Sequence, residues 1–397
     1  MNAASRALPP PSRRVGIKDI ARALGISTGT VDRALHAKPG INHMTRARVL
    51  SMAESLGYRP NLAARQLKSP RAWKLSVHLP REIALFWDAL RDGIREGAAP
   101  FEAVVDVEFR SYPGLGDGDI PLFEQALAGG TDGIIVAPGD PAALRPWIRR
   151  AAKKKVPVVC VVTDAPGTER LTSVSADPFT VGAVAGELIG RCLPSGGRVA
   201  FFTGWLATQD HSEKLRGFRQ SLRISGKGAE IAQVVEAHDD PRAGYGRALS
   251  LLKDRRDTKG IYVSTVNSLP VLEALAHVGL LGSVAVVTTD LFPELVPYIR
   301  QGSVAATVYQ RPLTQGQMAV RSLVEFLQNG TVPPPTIKVI PHLVMRSNLD
   351  LFLERLRMDA GAPGREEGAR RRLAGKTASP GPTSRHREGR RAAESTY

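Results

Sequence analysis

Two sets of residues in this 397-residue sequence have types and spacings suited to chemistry. The stretch STGTVDRAL, residues 27–35, offers hydroxyls, an arginine that can donate two parallel hydrogen bonds to a guanine edge, a glycine without a side chain and an aspartate that phosphate repels. The second set is a series of polar stretches that each follow a short apolar run: PREIALFW, TDAPG, VSTVNS, TTDLF and TVYQRP. Catalytic and metal chemistry have weaker support. GISTG at 25–29 has the spelling of a G-x-S-x-G nucleophile elbow, but that motif needs a strand before it, and a helical pattern precedes it here. The eight histidines are scattered, without H-E-x-x-H or Cys-x-x-Cys company, and the lone G-x-G of GLGDGD is too little for a dinucleotide site. Neither a metal, nor a cofactor, nor an enzymatic activity is expected.

The elements that must position these groups follow from charge and periodicity. The net charge of +16 is uneven: residues 1–70 hold 12 Lys/Arg against 3 Asp/Glu, residues 357–397 hold 10 against 5, and residues 71–356 hold 32 against 30. A basic head on a nearly neutral body is the footprint of a polyanion-binding module joined to a part that does not touch the polyanion. The Gly-, Pro-, Ser- and Arg-rich segment 357–397 reads as a disordered basic tail, and 1–14 as a disordered arm. No apolar run reaches the roughly 18 residues of a membrane span, and MNAASRALPPPSRR lacks the apolar part of a secretory signal. A cytoplasmic protein is expected, with no membrane partner and with Cys160 and Cys192 as two buried thiols.

In the head, Ile20, Ala21 and Leu24 share one helical face, Gly25 supplies a turn, and Ile26 re-enters the core. Ser27 suits the N-cap of a second helix, in which Val31 and Leu35 are four apart. Val49, Met52, Ala53 and Leu56 form the core stripe of a third helix. This is the helix-turn-helix plan. IKDIARALGISTGTVDRALHAKPGINHMTRARVLSMAESLGYRPNLAARQLKS resembles the headpiece of the lactose-repressor and purine-repressor (LacI/GalR) transcription regulators. The resemblance implies that the helix from Thr28 enters the major groove, with Thr28, Gly29 and Arg33 at specificity positions and Ser27 and Thr30 beside them. It also implies a hinge helix over 61–70, in which Asn61 starts the helix, Ala64 lets two hinge helices approach, and Leu67 wedges into the minor groove. Asp32 stands where the family usually has a phosphate-binding hydroxyl, with His36 and Arg33 as its expected compensation.

In the body, apolar runs alternate with helical stretches: KLSVHL, VVDVEF, GIIVA, VPVVCVV, RVAFF, GIYV, VAVVT and AATV. That alternation argues for an α/β core of two doubly wound parallel-sheet lobes, whose ligand sites lie at the carboxyl ends of strands. Residues 73–355 resemble the two-lobed type I periplasmic sugar-binding fold of these regulators, nearest the ribose-type branch, through DGIIVAPGDPAAL, PVVCVVTDAPG, KLRGF and ATVYQRPLTQGQMAV. By that resemblance Phe86 and Trp87 sandwich a ring, Asp164 and Asp290 accept from its hydroxyls, and Asn267 and Gln310 complete the cleft. Lys214 replaces an effector-binding arginine, keeping the charge and losing the planar fork, with Arg216 nearby.

The expected organisation is a 15–60 DNA-binding domain, a 61–70 hinge and a 73–355 effector and dimerisation domain. The expected protein is a homodimeric regulator, a repressor, which binds a palindromic operator in double-stranded DNA under control of a sugar-like effector. A purine or amino-acid effector is the alternative within that class. A solute-binding protein is the alternative outside it.

Overall fold

The computed structural model describes residues 15–35, 40–56, 72–81, 84–225 and 228–360. The headpiece is three helices, α1 (Ile17–Leu24), α2 (Thr28–Leu35) and α3 (His43–Ser55). Gly25 ends α1 in the left-handed region at φ 65°, where its N–H reaches the Ala21 and Arg22 carbonyls, and this turns the chain into α2. Ser27 Oγ accepts from Thr30 N at 3.0 Å, and Asn42 Oδ1 from Thr45 N at 2.7 Å, so α2 and α3 begin on side-chain caps. Ile20, Ala21, Val31, Ala34, Val49 and Ala53 form the core. Leu56 departs from its predicted stripe: it lies past the last residue of α3 and is 36% exposed. His36, Asn61, Ala64 and Leu67, with the expected arm and hinge, fall outside the described residues.

The body holds two six-stranded sheets. The first lobe runs β1 (Trp73–Pro80), α4 (Ala84–Ala98), β2 (Val105–Tyr112), α5 (Asp119–Ala128), β3 (Gly133–Val136), α6 (Pro141–Lys153), β4 (Val158–Val161) and β5 (Thr172–Ala176). Helix α7 (Pro178–Cys192) leads to the second lobe, which runs β6 (Gly197–Thr203), α8 (Gln209–Ser225), β7 (Ala229–Glu236), α9 (Pro241–Asp254), β8 (Thr258–Val263), α10 (Leu269–His277), β9 (Ala285–Thr289), α11 (Val296–Gln301) and β10 (Ala306–Tyr309). Helix α12 (Pro312–Asn329) returns to the first lobe, where β11 (Thr336–Val339) joins its sheet, and β12 (His342–Val344) crosses back. The orders are β11-β5-β4-β3-β1-β2 and β12-β10-β9-β8-β6-β7. Every pairing is parallel except the antiparallel β10–β12 edge.

Alternation within strands explains why both faces of the first sheet are covered. Ile135 joins the Val77, Leu79 and Leu90 core, while Ile134 and Val136 join Phe123, Leu144 and Ile148 on the other side. Four strands, β5, β7, β11 and β12, were absent from the predicted set. TSVSA in β5 has no apolar run, yet it is buried throughout, because Thr172 Oγ1 donates to the Pro334 carbonyl at 2.7 Å and so satisfies a buried hydroxyl. Cys160 is buried as expected, whereas Cys192 is exposed because it ends α7 on its outer side.

The helix after each lobe's last strand packs on the other lobe, and glycines make both packings close. A Cβ at Gly93 of α4 would overlap the Leu313 carbonyl, and one at Gly316 of α12 the Leu90 carbonyl. In the second lobe, Gly182 of α7 faces Lys214 backbone, and Gly217 of α8 faces Phe179 backbone, in the same way. Helix α13 (Leu349–Ala360) belongs to a separate compact unit beginning at Ser347. It extends into the segment read as tail from residue 357, because the apolar spacing of Leu349, Phe352, Leu353 and Leu356 continues the helix past that point. Among the described residues no helix is long and apolar enough to cross a membrane.

The close helix packing generates a paired expectation. Gly93→Ala should lower the unfolding free energy by about 1–3 kcal/mol, since its neighbour is backbone that cannot rotate away. Gly246→Ala, in α9 with nothing within 4 Å of the new Cβ, should raise it by about 0.5–1 kcal/mol. Urea denaturation of both variants measures the contrast, and equal effects would contradict the packing.

Candidate functional site

In α2 the side chains divide by helical phase. Val31 and Ala34 face the headpiece core, while Ser27, Thr28, Gly29 and Arg33 are exposed and Thr30 and Asp32 half-buried. The Thr30 hydroxyl lies 2.8 Å from Ser27 Oγ, which ties both hydroxyls into the cap. Gly29 has ordinary helical backbone, and an added Cβ would meet Ser27 Oγ only at 3.8 Å. Packing therefore does not require a glycine there.

In the body, the carboxyl ends of strands from both sheets face one cleft. Phe86 and Trp87 on α4, Leu115 after β2, and Val162 and Thr163 after β4 come from the first lobe. Asp210, His211 and Lys214 on α8, Asp239 after β7, Ser264, Thr265 and Val266 after β8, Asp290 after β9 and Gln310 after β10 come from the second. The structure thus brings together five predicted residues: Phe86, Trp87, Lys214, Asp290 and Gln310.

Two predicted residues lie elsewhere. Val162 sits at φ 69°, with Thr163 N donating to the Val161 carbonyl at 2.8 Å, a γ-turn that puts Thr163 in the cleft and sends Asp164 away. The Asp164 carboxylate is clasped by Arg170, through Nε on Oδ1 and Nη2 on Oδ2 at 2.6 Å. Asn267 is held by its backbone N–H on Thr265 Oγ1 at 3.2 Å and lies outside the lining, which takes the three residues before it. Phe86 and Trp87 form an edge-to-face pair, 5.1 Å apart at 88°. Neighbours on one helix cannot form opposite walls, so they build a single apolar wall rather than a sandwich. Arg216 is outside the cleft as well, paired with Glu213 and stacked over the Phe179 ring at 4.4 Å.

Asp210 and Asp239 were missed. Asp210 had a legible signal, an aspartate four residues before Lys214 on one helix; Asp239, at φ 56° in a loop, had none. Lys214 Nζ donates to Asp210 Oδ2 at 2.6 Å and to the Ser264 carbonyl at 3.3 Å. The Asp210 backbone N–H reaches across the cleft to Thr163 Oγ1 at 3.4 Å. His211 Nδ1 lies 2.9 Å from the Trp205 backbone N and 3.0 Å from the Trp205 carbonyl oxygen, while Nε2 lies 3.7 Å from Asp210 Oδ2. The Trp205 ring occupies the space beside Gly116 of the first lobe, where any side chain would overlap it.

Asp290 takes both N–H groups of Gln310, backbone on Oδ1 at 2.8 Å and Nε2 on Oδ2 at 2.6 Å. Burial pushes its carboxyl up to about 6, against the lowering effect of those hydrogen bonds and of Lys214. Burial also raises Asp239. Asp210 Oδ1 and Asp239 Oδ1 are buried without a hydrogen-bond partner. Five non-glycine residues at these strand ends, Val162, His238, Asp239, Asp290 and Arg311, have positive φ. Each costs about 1–3 kcal/mol, a strain that concentrates at binding sites.

A basic three-helix headpiece joined to two sheets that share a polar cleft defines a class: a DNA-binding protein with a ligand-binding body. The lacI family of bacterial regulatory proteins matches residues 16–61, and the periplasmic binding protein domain matches residues 79–331. Catabolite control protein A of Priestia megaterium is 26% identical over 338 residues, 83% of this chain and 97% of that protein. The D-allose-binding periplasmic protein of Escherichia coli is 26% identical over 274 residues, 66% of this chain and 88% of that one. A glucose-galactose binding protein from Geobacillus stearothermophilus superposes with a TM-score of 0.65 and 26% identity, over 70% of this chain and 99% of that one. The chain carries a lacI-family headpiece on a body that belongs to the periplasmic binding protein domain family, and is a DNA-binding transcriptional regulator.

The buried ion pair sets an expectation for stability. Lys214→Met should leave Asp210 as an uncompensated buried carboxylate and lower the unfolding free energy by about 3–5 kcal/mol. Adding Asp210→Asn in the same chain should recover much of the loss. Chemical denaturation of the single and double variants reads both, and a loss under about 1 kcal/mol for the single variant would mean that the pair is not closed in solution.

Proposed function

We propose that this regulator is a cytoplasmic homodimeric repressor whose hold on a palindromic operator is controlled by a small sugar-like effector in the interlobe cleft. The observation that carries the effector class is the pair of buried, unpartnered carboxylate oxygens, Asp210 Oδ1 and Asp239 Oδ1, on two residues that line a cleft with an aromatic wall. Such acceptors need donors, and a polyol brings several hydroxyls together with C–H faces that suit Phe86 and Trp87. Lys214, Asp290 and Gln310 complete the binding set. Relatives named for allose, ribose and glucose-galactose binding support the same class.

Effector contacts to Phe86, Trp87 and Thr163 on one lobe and to Asp210, Asp239 and Asp290 on the other favour one lobe arrangement over another. Gln310 couples this to the fold, because it sits in the crossover from β10 to α12. In this reading the domain over 15–60 places Arg33 on a guanine edge, while Ser27, Thr28, Gly29 and Thr30 lie along the groove. The hinge over 61–70, with Asn61, Ala64 and Leu67, orders on the kinked operator.

The test uses the full chain in two assays. Mobility shift should show salt-sensitive operator binding that removal of residues 1–70 abolishes, and thermal shift across a sugar and nucleobase panel should find stabilisation by a sugar. Operator binding by the truncated chain would overturn the DNA reading. Stabilisation by a nucleobase alone would overturn the effector class.

A second expectation concerns Asp32. At 5–6 Å from a phosphate, its charge opposes binding by roughly 0.7–0.8 kcal/mol even at the dielectric of water. Asp32→Ser should tighten binding to specific and non-specific DNA alike, since phosphate contacts position without reading sequence. An affinity loss confined to one C·G pair, measured on operators substituted at each position, would instead show Asp32 reading a cytosine amino group.

A further inference from the structure

On the reading that the interlobe cleft is the effector site, one contact beside it stands apart from the lining. Trp205 follows β6 in the second lobe, and its half-buried ring rests on Gly116, which follows β2 in the first. A Cβ at residue 116 would overlap that ring, so only a glycine gives the indole its seat. Gly116 is also the third residue of a tight turn, at φ 84°, in which the Asp117 N–H donates to the Gly114 carbonyl at 3.0 Å. The turn is backed within its own lobe by Gly139, where a Cβ would overlap the Gly116 backbone nitrogen. The seat is therefore backbone, with no side chain of its own to move aside.

Both sides of this contact connect to cleft residues. Leu115, the chain neighbour of Gly116, lines the cleft from the first lobe. In the second lobe His211 lines the cleft, and its Nδ1 lies 2.9 Å from the Trp205 backbone N and 3.0 Å from the Trp205 carbonyl oxygen. Thr208 Oγ1 donates to the same carbonyl at 2.9 Å. A Cβ at Gly204 would overlap the His211 ring and come within 2.7 Å of Asp239 Oδ2, so the chain leading into Trp205 lies against two cleft residues. The Trp205 ring itself lies outside the lining. The hydrogen bond across the cleft, from the Asp210 N–H to Thr163 Oγ1, is long at 3.4 Å, and the seated indole is the larger of these two interlobe contacts.

We propose that Trp205 and Gly116 form a latch: the ring takes its seat in the lobe arrangement that holds the effector and leaves it when the lobes part. Trp205 is a positioning residue in this role, acting on the effector through the lobe arrangement. A contact made in one arrangement alone shifts the population toward it, and affinity falls with the fraction of protein in the binding arrangement. Unseating the ring lowers that fraction while every lining residue stays in place.

The experiment is a double-mutant cycle in the full-length protein with Gly116→Ala, Trp205→Ala and the two together. Isothermal titration uses D-allose, D-ribose, D-glucose, D-galactose and myo-inositol, with adenine and guanine beside them, and the member that the unaltered protein binds most tightly is the probe. Gly116→Ala should weaken the probe about tenfold or more, within the usual range of a coupling between sites. Trp205→Ala should weaken it too, and adding Gly116→Ala to Trp205→Ala should change it less than about twofold, because the clash needs the ring. Backbone strain at residue 116 is the same in either background, so it cannot produce this pattern. Urea midpoints of the four proteins without ligand test the seat independently of any effector: Gly116→Ala should lower the midpoint more in the unaltered chain than in Trp205→Ala. Equal midpoint losses overturn the seat. Unequal midpoint losses with additive affinity losses keep the seat and overturn the latch. Unchanged affinity in Trp205→Ala, which leaves the turn untouched, overturns the latch by itself. A probe that is a nucleobase overturns the sugar reading and leaves the latch standing, whereas binding by no member overturns the effector reading and the latch together.

Discussion

The buried carboxylate of Asp290 grips both N–H groups of Gln310, and much of the body's organisation meets at that contact. Gln310 is the first residue after β10, where the chain leaves the second lobe for the first. Arg311 follows in the left-handed region, and α12 then packs against α4. Asp290 is left-handed as well, and Thr307 Oγ1 donates to its carbonyl at 2.6 Å. One acidic side chain thus fixes the end of β9, the exit from β10 and one wall of the cleft. The raised carboxyl of Asp290 is the cost of burying charge there, and the position is held by hydrogen bonds that favour its ionised form.

The same logic places rigidity and adaptability in different parts of the body. Each lobe's helix packing is set by glycines against backbone: Gly93 and Gly316 in one lobe, Gly182 and Gly217 in the other. A packing of that kind has no side chain to rotate, so the lobes behave as solid pieces. Contacts between the lobes near the cleft are of another kind: one N–H on the Thr163 hydroxyl, and the Trp205 ring against Gly116. Contacts this few can separate while each core stays intact. Ligand groups that touch both walls then have leverage over the arrangement.

The headpiece separates its structural from its functional residues more cleanly. Its core needs Ile20, Val31, Ala34 and Val49, and the caps need Ser27 and Asn42. Nothing in the packing asks for Gly29, and the exposed Arg33 has no core role. What packing leaves free is available for DNA.

Local pattern was enough for the three headpiece helices, the two-sheet class of the body and the strand ends as the place of the site, because periodicity and strand-end position are properties of short segments. It also singled out Phe86, Trp87, Lys214, Asp290 and Gln310, through resemblance carried position by position. It could not decide between Thr163 and Asp164, neighbours in sequence that a γ-turn at Val162 sends in opposite directions. Nor could it see Asp239, whose loop is held by backbone bonds to Thr203 and Gly204, or β5, whose buried Thr172 hydroxyl is satisfied by the Pro334 carbonyl from 162 residues away. The charged set of the cleft belongs to the same group, since the Asp210–Lys214 pair on α8, Asp239 after β7 and Asp290 after β9 come from separate segments. Sequence determined which residues could do chemistry and on which kind of element they sit. Tertiary structure alone decided which of them share a space, because electrostatic and hydrogen-bonding partners are chosen by distance in the fold and not by spacing along the chain.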